Sequence, residues 1–140
     1  MKRIGLILLS LTIVLAVLLV IVNRNREVKK GIVIRQEGTE RNVTFTQLNI
    51  LKANTFTTAR GDNYSGYLLS DILDSQKVSF HKYLVLFSND GGSLRLNAED
   101  IPNAYFILMD DTDEPALRLI ISSDEFGQRW LKYIKTIEVN

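Results

Sequence analysis

The residues whose types could do chemistry are few and fall in separate places along the chain. Asp110, Asp111, Asp113 and Glu114 put four carboxylates into five positions, a density of oxygen donors that would suit calcium. The spaced acidic pattern with a central glycine that shapes a calcium loop is absent, so a solvated acidic loop is the simpler reading. His81 is the chain's one imidazole. With Ser79 or Asp74 it supplies parts of a nucleophilic site, but no Gly-x-Ser-x-Gly elbow presents a serine to it, and a histidine beside Lys82 reads as a loop residue. Arg60-Gly61-Asp62 spells an adhesion tripeptide, yet glycine and aspartate are ordinary turn formers and a turn is the expected role. Trp130 stands at helical spacing from Ile134 and Ile137, which predicts core packing, with ring stacking on a ligand as the alternative. Two sequons, Asn42-Val43-Thr44 and Asn63-Tyr64-Ser65, bear on glycosylation only in a eukaryotic secretory pathway, to which nothing else in the chain points.

Composition narrows the classes further. No cysteine occurs among the 140 residues. That excludes a disulfide scaffold, a thiolate-held zinc or iron–sulfur site, and a cysteine nucleophile. One histidine excludes any centre that needs two. The net charge of +1 averages two unlike regions. Residues 1–30 carry six basic residues against Glu27, whereas residues 31–140 carry 11 basic and 15 acidic ones and are net −4. An acidic domain is poorly suited to displace counterions from phosphate backbones, so nucleic-acid binding is not expected.

The elements that must position these groups begin with an apolar run. Ile4 to Val22 is interrupted only by Gly5, Ser10 and Thr12. As a helix its nineteen residues span roughly 28 Å, close to the hydrocarbon thickness of a bilayer. A cleaved signal peptide is the competing reading, with Met1-Lys2-Arg3 as its positive start. The run is longer than a signal core, however, and Asn23-Arg24-Asn25-Arg26 follows where a small-x-small cleavage site would be needed. The expected organisation is a transmembrane anchor over 1–23, a basic linker over 24–30 and one folded domain over 31–140. Flanking charges barely decide the orientation: Lys2 and Arg3 precede the run, and Arg24, Arg26, Lys29 and Lys30 follow it.

Within the domain, Gly31–Arg35 and Asn42–Phe45 read as short strands around a turn at Glu37–Glu40. Thr46–Leu51 reads as one helical turn, and Asn54–Arg60, rich in Thr and Phe, as a strand. Gly61–Asn63 is a turn signal, and Leu68, Leu69, Ile72 and Leu73 form an amphipathic helix ending near Ser75. Tyr83–Phe87 and Ser93–Asn97 flank Asn89-Asp90-Gly91-Gly92, the strongest hairpin signal in the chain. Ala104–Met109 and Leu117–Ile121 are further strands. Ser122 or Ser123 is placed to cap a turn holding Asp124 and Glu125, and Ile137–Val139 is a last strand. The sum is an α+β domain with about seven short strands and two or three short helices.

Four segments then resemble one family, the sulfite-oxidase-like molybdopterin-binding domain. Tyr64-Ser65-Gly66-Tyr67-Leu68-Leu69-Ser70-Asp71-Ile72-Leu73 resembles its aromatic-x-Gly-Val-x-Leu-x-Asp-Leu-Leu segment. Val85 to Leu96, with Asp90-Gly91 inside, resembles its two strands around Asp-Gly, and Pro115–Ile121 its Pro-Leu-Arg-Leu-Ile strand. Gly127 to Val139 resembles its ending, Gly-x-x-Trp-x-Lys-x-Leu-x-x-Ile-x-Val. Order and spacing agree over about residues 43–140. The resemblance implies a mixed α+β fold with a β-grasp-like portion, an extracytoplasmic setting, and arginine and histidine side chains around a pterin phosphate. Arg60 and Arg118 are the candidate cofactor-binding residues, with His81 beside them. The enzymes of that family hold molybdenum through a cysteine upstream of the aromatic-x-Gly segment, and this chain has none. The implied protein is therefore a short, membrane-anchored relative that keeps the scaffold without metal catalysis, has no catalytic residues, and serves as a binding or interaction domain outside the cytoplasm. The alternative is a subunit of a redox complex that still binds a pterin or another anion. Partner and ligand are left open.

Overall fold

An uninterrupted apolar run followed by alternating strand patterns should give one long helix and a separate β-rich unit. The computed structural model has this form. It describes residues 2–28, 30–79, 82–110 and 112–140, and for residues 2, 3 and 24–28 the backbone alone. The chain divides into two compact units, Met1–Lys30 and Gly31–Asn140.

The first unit is helix α1, Lys2–Val28. Its stretch Ile4–Asn23 is long and apolar enough to cross a membrane, and none of it is buried. Ser10 and Thr12 are the polar interruptions, and each turns its hydroxyl back onto the helix: Ser10 Oγ donates to Ile7 O at 2.9 Å and Thr12 Oγ1 to Leu9 O at 2.8 Å. These bonds satisfy the hydroxyls inside the segment, as an apolar surrounding requires. The helix runs on to Val28, through most of the segment expected as a linker.

The second unit is α+β, with one mixed and one antiparallel sheet. Its strands are β1 (Gly31–Gln36), β2 (Thr39–Thr44), β3 (Asn54–Thr57), β4 (Asn63–Leu68), β5 (Tyr83–Ser88), β6 (Ser93–Asn97), β7 (Ala104–Met109), β8 (Ala116–Ile121) and β9 (Ile134–Val139). Helix α2 (Phe45–Ile50) follows β2, and α3 (Leu69–Ser75) follows β4. The five-stranded sheet has the order β2-β1-β9-β5-β6 and the four-stranded sheet β3-β4-β7-β8. Among the described residues only β1 and β9 pair in parallel; β9 is the central strand, with the antiparallel β1–β2 hairpin on one side and the β5–β6 hairpin on the other.

Local chemistry accounts for these joints. Glu37 and Gly38 both have positive φ (49° and 77°), the conformation a two-residue hairpin between β1 and β2 demands. Thr44 and Gln47 form a reciprocal capping box at the start of α2, with bonds of 3.2 and 2.9 Å. Gly91, with φ 92°, closes the β5–β6 turn. Inward residues of both sheets, among them Ile32, Leu84, Ile137, Phe106 and Leu119, join Leu48 of α2 and Ile72 of α3 in one buried core.

Three expectations are corrected here. Asn63–Leu68 is a strand, β4, where the sequence pattern shows only a turn and the start of a helix, and the described residues of the domain form nine strands in place of seven. The turn expected at Ser122–Asp124 is present, closed by Asp124 N donating to Ile121 O at 3.1 Å, but among the described residues neither the Ser122 nor the Ser123 hydroxyl caps it, and the 3₁₀ turn that follows over Gly127–Arg129 has no side-chain cap either. Trp130, Ile134 and Ile137 do not share a helical face, because Ile134 and Ile137 belong to β9. The pairing of β5 with β9 shifts register, Phe87 opposing Thr136 and Ser88 opposing Ile134, so Lys135 bulges. A bulge adds one residue to the alternation and brings positions three apart onto one face, which imitates helical spacing.

Candidate functional site

The four-stranded sheet has two sides. Its core side carries Tyr67, Phe106 and Leu119. On the other side an alternate set of residues comes together, because cross-strand partners share a face. Phe56 of β3 opposes Tyr64 of β4, and Ile107 of β7 opposes Arg118 of β8. Phe56 stacks on Tyr105 with ring centroids 3.8 Å apart and lies 6.0 Å from Tyr64. Tyr64 meets the edge of Trp130 at 6.2 Å and 88°. The Arg118 guanidinium then lies over the Trp130 ring, its carbon 5.5 Å from the centroid. The result is a row of aromatic rings across the sheet that ends in one cation.

Trp130 is held in this row from three directions. Its indole N–H donates to Ile121 O at 3.3 Å, and its backbone N–H to Gly127 O at 3.1 Å. The ring packs on Gly127, where an added Cβ would come within 3.1 Å of it. Gly127 and Trp130 thus form one packing unit, which gives the Gly-x-x-Trp spacing a physical reason. Gly66 has a similar role between strands: a Cβ there would lie 2.6 Å from Phe106 O and 2.8 Å from the Ile107 side chain.

Arg129 fixes the segment that carries Trp130. It pairs with Asp124 at 2.5 Å and with Asp100 at 2.9 Å. The Asp124 hydrogen bond, and after it the Asp100 bond, hold its guanidinium firmly protonated against the cost of partial burial. Sequence spacing gives no sign of this clamp, since Asp100 lies 29 residues away. At the β5–β6 turn the Ser88 hydroxyl bonds the Asp90 carboxylate and reaches Lys132 O at 2.6 Å. The Ser88 bond and then the Gly92 N–H keep the Asp90 carboxyl below the ordinary carboxylate range.

Of the expected site residues, Arg60 and Arg118 are described. Arg60 is exposed in the Thr58–Asp62 loop, where Gly61 has φ 89° and Thr58 N donates to Asp62 O at 2.8 Å. The tripeptide is thus part of a closed turn. That loop abuts the end of β8 through Ala59 N and Ser122 O at 2.9 Å. Arg118 lies four residues earlier on the strand, roughly 13 Å back at about 3.3 Å per residue. Arg60 thus comes from a loop and Arg118 from the middle of β8. His81 and Asp111 lie outside the described residues. Among the described residues no three His, Asp or Glu groups gather to hold a metal ion, and Asp110, Asp113 and Glu114 sit in the loop between β7 and β8. The donor set does not suit molybdenum, because no thiolate exists in the chain and the two methionine thioethers are weak ligands.

A hollow of about 310 Å³ on the five-stranded sheet side is lined by Arg35, Glu37, Glu40 and Glu138 among others. Arg35 and Glu40 already satisfy each other there at 2.7 Å. The Arg118 corner is the better candidate, since its cation faces aromatic rings in place of a carboxylate. No family model matches this chain, and a search of curated proteins returns no match.

Proposed function

We propose that this protein is a membrane-anchored binding domain, built on a sulfite-oxidase-like molybdopterin-binding scaffold, that is held outside the cytoplasm and works without molybdenum chemistry. The observation that carries the reading is α1: twenty residues, Ile4–Asn23, of exposed apolar helix joined to a separate folded unit. Such a surface is stable in hydrocarbon and costly in water. The five-stranded sheet, in which β9 joins the β1–β2 and β5–β6 hairpins and runs parallel to β1, is the arrangement expected of a grasp-like portion. A cysteine-free donor set supports a role without the metal. Protease added to intact cells or spheroplasts that make the protein should remove the 31–140 domain and spare the anchor. Protection of the domain until lysis would reverse the orientation.

A second reading, an anion- or pterin-binding subunit of a redox complex, is favoured by Arg118. Its guanidinium has no carboxylate partner among the described residues and its Nε is buried without a hydrogen bond.

A further inference from the structure

Two partly buried arginines lie within a dozen residues of each other, and the domain treats them differently. Arg129 is spent on Asp100 and Asp124. Arg118 makes no ion pair with the described residues, and the structure leaves its Nε both buried and unbonded. Burial of Nε anchors the side chain, and the terminal nitrogens, which have no protein partner among the described residues, are the groups left for a ligand. The Arg118 guanidinium carbon lies 5.5 Å from the Trp130 ring centroid, within cation–π range. The planar guanidinium fork loses little freedom when its terminal N–H groups engage an oxyanion side by side.

We propose that the Arg118–Trp130 corner is a receptor for a carboxylate monoanion attached to an apolar body. The proposal rests on the anion-binding reading above and names its ligand class. The carboxylate takes the two terminal nitrogens of Arg118, and the apolar body lies along Trp130 and Tyr64. A single charge is favoured for two reasons. Dehydrating a dianion beside aromatic rings costs far more than dehydrating a monoanion. The domain around the site is net −4, which repels a second negative charge. A free organic acid and the C-terminal carboxylate of a polypeptide share this chemistry.

Trp130 is the chain's only tryptophan, so the site carries its own reporter. The full chain in detergent micelles is titrated at constant ionic strength with cyclohexanecarboxylate, with inorganic phosphate, and with a short Val-Val peptide ending in a free carboxylate or an amide. Saturable quenching or enhancement by cyclohexanecarboxylate is expected, with weaker response to phosphate at equal concentration. Arg118→Gln should weaken binding by about tenfold or more, the loss of a bidentate charge-assisted pair, and Arg41→Gln, on β2 of the other sheet, should leave it unchanged. The ¹⁵Nε resonance of Arg118 in the unmodified protein should move during the same titration, which keeps the test valid if Arg118→Gln fails to fold. Response to the free-carboxylate peptide but not to the amide assigns the polypeptide source; response to the small acid alone assigns the free acid. A response to phosphate that exceeds the carboxylate response overturns the carboxylate assignment and leaves anion binding standing. Silence of both Trp130 and Arg118 Nε towards every probe overturns both.

Discussion

Arg129→Leu should strand Asp100 and Asp124, whose side chains are 11% and 14% exposed, without their shared cation. Arg129 itself is 38% exposed, so solvent screens part of the pairing, and a loss of about 1–3 kcal/mol in chemical denaturation is expected. A loss within error of zero would show that the clamp closes only loosely. Trp130 is half-buried, so Trp130→Ala should cost about 2–3 kcal/mol, below the roughly 3–5 kcal/mol of a fully buried tryptophan. Asp90 has a pH signature. Its folded pKa lies below the unfolded value, so it adds stability above about pH 3.9, and that contribution fades as pH falls through the folded pKa. In denaturation midpoints taken from pH 6 down to pH 2, Asp90→Asn should show a flatter acid limb than the parent. Identical limbs would show that the Ser88 bond adds no net stability.

At the scale of elements, Gly66→Ala tests the seam between β4 and β7. The added methyl meets the Phe106 carbonyl oxygen, which is backbone and yields little, so a loss of about 1–3 kcal/mol is expected. Elements with a purely local cause are legible in the amino-acid sequence. The β5–β6 hairpin follows from alternation around Asn89-Asp90-Gly91-Gly92, and β7 occupies the range its apolar run predicts. Strand β4 escapes such a reading because its Gly66 interrupts the apolar alternation, and the meaning of that glycine, room for Phe106 and Ile107, exists only once β7 lies alongside. The bulge at Lys135 misleads in the opposite direction by giving a strand a helical period. The site is less legible than the fold. Arg118 and Trp130 stand out separately in the sequence, but their stacking depends on the chain folding back across β8, where Leu119 N meets Leu131 O at 2.8 Å. Phe56, Tyr64 and Tyr105 come from three strands, and only the alternation within β3 and β4 hints that they share a face.

At the scale of the whole molecule, the two units predict separable behaviour. Residues 31–140, about 110 in number, bury enough apolar surface for independent folding. Expressed alone, that domain should be water-soluble and unfold in one cooperative transition. The full chain should stay with membranes through alkaline carbonate extraction, and release of the intact chain by carbonate would show that α1 does not span the bilayer. The core draws on both sheets and both short helices, so fragments that keep only one sheet should not fold.

The central place of β9 has a consequence for how this protein is made. β1 needs β9 on its inner edge, β5 needs it on the other, and Val33 pairs with Thr136, 103 residues later. Synthesis at about 5–20 residues per second puts roughly 5–20 s between those two partners. During that interval the two hairpins have no strand to join them, and closure across so long a loop is slow by nature. Helix α1 has by then long left the ribosome. In the proposed arrangement, with α1 in the bilayer and the domain outside, the domain is thus still unclosed as the anchor inserts, a state a translocation channel can thread and a finished sheet would resist.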